Sequence, residues 1–138
     1  MIFLDTSVLI AGTQAHHLHY SPSKEVLLSL HAESAAFSAH SLAELYSGLT
    51  SIPPRTSPAT AMQSIEAYLA RIQLVALSES EYIAVVRKTA QAGHAGGAIY
   101  DALHLACARK INADRIYTWN LKHFRALAPD LADKIMTP

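Results

Sequence analysis

The chain has 138 residues, 51% of them hydrophobic and 16% charged, with a formal net charge of zero and a mean hydropathy of +0.16. That length suits one compact domain over residues 1–138. The apolar fraction and lack of net charge exclude a disordered chain, and no apolar run approaches the roughly 20 residues of a membrane span. The lone cysteine, Cys107, has no partner for an internal disulfide, and the opening Met1–Asp5 lacks a basic leader, so a cytoplasmic protein is expected.

The elements follow in order. Ile2–Leu4 is a short apolar run ending at Asp5, and Thr6-Ser7 can open a helix. Ser21-Pro22-Ser23 starts another, carrying Val26, Leu27 and Leu30 on one face. Ala35–Ser38 reads as a second strand, then a helix with Leu42, Leu45, Tyr46 and Leu49. Past a loop marked by Pro53, Pro54 and Pro58 comes a helix with Ile65, Tyr68, Leu69 and Ile72. Leu74–Leu77 is a third strand, and Ile83, Val86 and Ala90 mark the next helix. Gly93, Gly96 and Gly97 separate it from one with Ile99, Leu103, Ala106 and Cys107, and Ile116–Thr118 is a fourth strand. Short strands that are apolar throughout are buried on both faces, so the order β-α-α-β-α-α-β-α-α-β predicts an α/β domain with helices over a mainly parallel sheet. Charge is divided along it, −4 over residues 1–86 and +4 over residues 87–138, which can place acids beside basic groups or simply give two solvated faces.

Four residues stand where a polar group is costly or well placed for a ligand. Asp101 shares a helical stripe with Ala98, Leu105 and Ala108, where a carboxylate must be compensated. Free N–H groups of the nearby helix start could also compensate it. Asp5 ends the first strand, at the edge of a parallel sheet where ligands bind, a position that equally suits a cap. Glu44 closes Ser41-Leu42-Ala43-Glu44, which matches a capping box; capping and site roles both stand. Asn120 follows the fourth strand, as a ligand to a hard cation or as a turn residue.

Together they are three acids and an amide at places that a parallel sheet gathers. Oxygen donors suit Mg²⁺ or Mn²⁺, and no Cys/His spacing suits zinc. His16, His17 and His19 read as solvated loop residues, Cys107 as core, and His104 and His123 as substrate contacts or structural groups. Lys122, Arg125, Arg109 and Lys110 are candidates for phosphate contacts or plain helix-surface charge. No run of clustered aromatics suggests a stacking platform, so recognition of RNA shape or a loop is expected of any RNA binder.

The ordered set Ile2-Phe3-Leu4-Asp5-Thr6-Ser7-Val8-Leu9-Ile10, Ser41-Leu42-Ala43-Glu44-Leu45, Gly96-Gly97-Ala98-Ile99-Tyr100-Asp101-Ala102-Leu103 and Thr118-Trp119-Asn120 to His123-Phe124 resembles PIN-domain ribonucleases, and among them the VapC toxins of VapBC toxin–antitoxin pairs. The resemblance implies a three-layer α/β/α sandwich with a central sheet of four to five strands and a Mg²⁺-dependent endoribonuclease, with Mn²⁺ as a substitute. It implies Asp5 and Asp101 as main metal ligands, Glu44 as the third acid, and Asn120 where many members carry a fourth. That departure favours one metal over two. It further implies a homodimer, an RNA substrate, a VapB-like antitoxin that blocks the site, and promoter DNA bound only through the antitoxin complex.

Other classes compete less well. A phosphatase of the haloacid dehalogenase kind needs a second Asp at the position of Ser7, and a receiver-type domain needs paired acids where only Asp5 stands. A catalytically inactive PIN-like module that binds RNA or protein is the non-enzyme alternative, and the presence of both Asp5 and Asp101 speaks against it.

Overall fold

The computed structural model describes residues 1–138. Five parallel strands form one sheet in the order β3-β2-β1-β4-β5: β1 Ile2–Leu4, β2 Ala35–Ser38, β3 Gln73–Val75, β4 Arg115–Tyr117 and β5 Ile135–Met136. Helices α1 Thr6–Thr13 and α2 Tyr20–Ser29 join β1 to β2, and α3 His40–Ser51 and α4 Pro58–Leu69 join β2 to β3. Helices α5 Glu79–Gln91 and α6 Ala98–Lys110 lead to β4, and α7 Leu121–Leu127 with the 3-10 turn Pro129–Lys134 leads to β5.

Strand alternation builds two cores, because successive side chains point to opposite faces. Phe3, Ala36 and Ile116 pack with Leu105, Cys107 and Ala108 of α6 and Phe124 of α7. Leu4, Ala35 and Phe37 pack on the other face with Val8, Leu9, Leu27, Leu45 and Ile65 from α1 to α4. The result is the three-layer α/β/α sandwich. Gly12 keeps α1 and α2 close, since a Cβ there would collide with Leu27 Cδ1. No helix is long and apolar enough to cross a membrane.

Two local expectations change, and a short fifth strand joins the four read in chain order. The third strand ends at Val75, because Ala76 and Leu77 lead to a helix whose Ser78 and Glu81 form a capping box. The fifth strand has two residues, too few for a periodic signal. The match at Ser41–Glu44 is no capping box: α3 starts at His40, and Ser38 Oγ accepts from the Ser41 N–H at 3.2 Å, leaving Glu44 more than a turn inside the helix.

Candidate active site

Parallel pairing brings the residues after β1, β2 and β4 to one edge of the sheet. Asp5 follows β1 with extended backbone and N-caps α1. Three donors converge on its Oδ2: Thr118 Oγ1 at 2.8 Å, Ser7 Oγ at 2.5 Å and the Ser7 N–H at 3.4 Å. Its Oδ1 accepts none of them and stands 3.8 Å from His104 Nε2. The capping reading of Asp5 therefore holds through Oδ2, and Oδ1 is left without a hydrogen bond from the chain.

Glu44 projects from α3 toward α6, where Oε2 accepts from His104 Nε2 at 2.6 Å and from Thr6 Oγ1 at 2.6 Å. His104 is 1% exposed, and its Nδ1 lies 2.8 Å from Ser38 Oγ, so both ring nitrogens are engaged in the interior. Burial works against a charged imidazole, yet the bond to Glu44 and the charges of Asp5, Glu44 and Asp101 hold its pKa above the usual value. Burial likewise pushes the Glu44 carboxyl up, and the His104 and Thr6 hydrogen bonds outweigh it, for a net lowering. The two shifts agree on an imidazolium–carboxylate pair.

Asp101 lies in the first turn of α6. Its Oδ2 accepts from Asn120 Nδ2 at 3.0 Å, so the Asn120 side chain serves Asp101 and makes no cap bond to α7. Desolvation first, and then the charge of Asp5, raise the Asp101 carboxyl to about 6. The helix start therefore does not neutralise this acid: its ionised form is disfavoured where it stands.

Asp5, Glu44 and Asp101 share one arrangement. In each, the hydrogen bonds from within the chain fall on one oxygen, and the other oxygen has no such partner. No group of three or more His, Cys, Asp or Glu side chains is set closely enough to hold a metal ion by itself. The open carboxylate oxygens are hard donors, of the kind that Mg²⁺ takes one or two at a time beside several waters. A cation would also relieve the repulsion that raises Asp101.

The other sequence candidates divide. Arg109 makes a two-pronged pair with Asp130 at 2.7 and 2.8 Å, Lys110 bonds Glu81 at 2.7 Å, and Arg125 donates to the Ile135 carbonyl at 2.8 Å. These three are structural cations, and Lys122 is exposed without a hydrogen bond in the chain. Cys107 is buried, and burial pushes its thiol up to about 11, in keeping with core packing. His123 is mostly exposed, 3.9 Å from Asp101 Oδ2.

His104 as the hub of the cluster exceeds what the sequence suggested, although an imidazole on the apolar stripe one turn after Asp101 was the available signal. The aromatic groups also differ from expectation. His19 stacks on Trp119 with centroids 3.8 Å apart and planes 6° apart, and His40 stacks on Tyr100 at 5.0 Å and 16°.

The family model described as PIN domain matches residues 2–128. Ribonuclease VapC40 of Mycobacterium tuberculosis is 36% identical over 109 residues, covering 75% of each chain. Among solved structures, VapC20 of M. tuberculosis, described as a Sarcin-Ricin loop cleaving toxin, superposes with a TM-score of 0.76 at 19% identity, over 91% of this chain and 95% of that one. A toxin–antitoxin complex from Klebsiella pneumoniae gives 0.69 at 18% identity, over 100% and 98%. VapBC2 from Rickettsia felis, bound to a DNA fragment from its promoter, gives 0.61 at 24% identity, over 91% and 92%.

Proposed function

The chain belongs to the VapC-type PIN-domain family, and from that premise we propose that it is a metal-dependent endoribonuclease toxin held in check by a cognate antitoxin. The observation that carries this reading is the set of three carboxylates at the strand ends, each with one oxygen held and one oxygen open, around the buried His104. Asp5 and Asp101, with Glu44 as third acid, would hold Mg²⁺ or Mn²⁺, which lowers the pKa of a bound water and offsets charge on the phosphate.

The chain's own groups do the positioning. Thr118 and Ser7 fix Asp5, and Asn120 fixes Asp101 through Oδ2. His104 and Thr6 hold Glu44 by Oε2, which leaves Oε1 to accept a hydrogen bond from the attacking water and orient it toward phosphorus. The imidazolium keeps Glu44 ionised for that task. Supporting groups of this kind typically change affinity or activity about 10–100-fold when removed.

A second copy of the chain and a VapB-like antitoxin are the partners of this reading, and promoter DNA would be reached only through the antitoxin. The relatives solved as toxin–antitoxin complexes, one with promoter DNA, support the antitoxin partner. Antitoxin-free protein incubated with total cellular RNA tests the activity. Discrete cuts are expected with Mg²⁺ or Mn²⁺, none with EDTA, and none from Asp5→Ala in any buffer. Cuts that persist in EDTA or in that variant would refute the assignment.

A further inference from the structure

Two ring stacks border the carboxylate cluster, and they are built differently. Trp119 is committed to the fold: its Nε1 donates to Ser23 Oγ at 2.9 Å, its N–H donates to Ser7 Oγ at 3.0 Å, and His19 covers its ring. Tyr100 is 48% exposed, and its hydroxyl makes no hydrogen bond within the chain. One of its faces lies nearly parallel to His40 at 5.0 Å, and His40 in turn packs 5.8 Å from the His104 ring. Tyr100 is also the residue before Asp101, and His40 stands one helical turn before Glu44. An exposed aromatic ring is thus backed by His40, which links it to the buried His104 of the carboxylate cluster. Tyr46 and Tyr82, exposed to a similar degree, have no such stacked partner.

Resting on the nuclease reading above, we infer that Tyr100, backed by His40, is a base-stacking platform that receives an unpaired nucleobase beside the scissile phosphate. A π-face accepts any base, so the platform selects single-stranded segments over paired ones and carries little preference for base identity. A tyrosine whose orientation is already fixed loses little rotamer freedom when a base settles on it.

The test uses the full chain as wild type, Tyr100→Ala and Tyr100→Phe. Each is titrated, with Ca²⁺ in place of Mg²⁺, against a labelled single-stranded RNA of about ten nucleotides and against the same strand annealed to its complement. The wild type should bind the single strand more tightly than the duplex. Tyr100→Ala should weaken single-strand binding about tenfold, equivalent to about 1.4 kcal/mol, and leave duplex binding unchanged, while Tyr100→Phe should keep wild-type affinity. On an RNA that the wild type cuts, Tyr100→Ala should raise KM and hold kcat within about twofold. Equal single-strand affinity for wild type and Tyr100→Ala, with both folded by thermal melting, would overturn the platform and leave the nuclease reading intact. Equal loss for both RNA forms would also overturn it. A wild type that neither binds nor cuts RNA would overturn the nuclease reading, and the platform with it.

Discussion

The acids of this chain live under two regimes. Away from the strand ends three acids are paired with a cation: Asp130 with Arg109, Glu81 with Lys110, and Asp114 with the N-terminal ammonium at 2.6 Å. Hydrogen bonds to those cations lower all three carboxyls, Asp130 to about 2. At the strand ends, Asp5, Glu44 and Asp101 face one another across a single imidazole, and Asp101 rises to about 6. Asp101 and the paired acids shift in opposite directions, because Asp101 is desolvated beside Asp5 with no cation of its own, the one imidazolium being bonded to Glu44, which it lowers, whereas each surface acid has its counter-charge. A carboxyl raised in this way at a strand-end cluster marks a candidate functional site.

The largest effect expected from disturbing this contrast is on chemistry. Asp101→Asn keeps the size of the side chain and removes its charge, so metal-dependent cleavage should fall by about a thousandfold or more, about 4 kcal/mol of barrier. Initial rates on an RNA cut by the wild type measure it. Retention of more than a tenth of the activity would remove Asp101 from the site.

The next is on stability. His104 is buried and bonded to Glu44 and Ser38, so His104→Ala leaves a cavity and strands both partners. A loss of about 3 kcal/mol is expected, read as a lower urea midpoint at pH 7. A change below about 1 kcal/mol would show that the cluster does not depend on its imidazole.

Asp101→Asn should act in the opposite direction on the metal-free protein. The folded pKa of about 6 lies above the ordinary 3.8, so the folded state binds more protons than the unfolded chain between those values. Ionising Asp101 therefore costs stability as pH rises through that window, and Asn escapes the cost. The variant should be more stable than wild type by about 1 kcal/mol at pH 8, after allowing for solvent at the open edge of the site. The difference should vanish near pH 3.8 and below. Millimolar Mg²⁺ should raise the melting temperature of the wild type and leave that of the variant in place. A gain that persists unchanged at low pH would mean that charge is not its source.

The sequence revealed these two regimes unequally. Asp5 and Asp101 could be read because each sits where a carboxylate is expensive, at a buried strand end and on an apolar helical stripe, and the strand–helix alternation dictated the parallel sheet that joins them. Glu44 carried a misleading local match, since a capping box depends on where the helix begins and α3 begins one residue before Ser41. The hub role of His104 and the two stacks depend on contacts between distant segments, His104 with Glu44 and Ser38, His40 with Tyr100, His19 with Trp119. No periodicity records such pairings. The two readings of Arg109 and Lys110, phosphate contact or plain surface charge, stayed open in the sequence for the same reason: their partners Asp130 and Glu81 come from distant segments.

The smallest effect belongs to the paired acids. Arg109 and Asp130 form the best-made ion pair of the surface, with side chains 40% and 59% exposed. Solvent screens such a pair, and ordering two side chains offsets most of its attraction. Asp130→Asn should therefore move the melting temperature by no more than about 2 °C and leave cleavage at the wild-type rate. The sign of the pH dependence is also opposite to that of Asp101. A carboxyl lowered to about 2 adds stability that is full above the ordinary 3.8 and is lost as pH falls from there through about 2, so wild type and variant should differ equally at pH 5 and pH 8. A loss in Asp130→Asn as large as that of His104→Ala would break the comparison. It would mean that the well-paired surface, and not the charge-deficient strand ends, is where this fold concentrates its electrostatic stability.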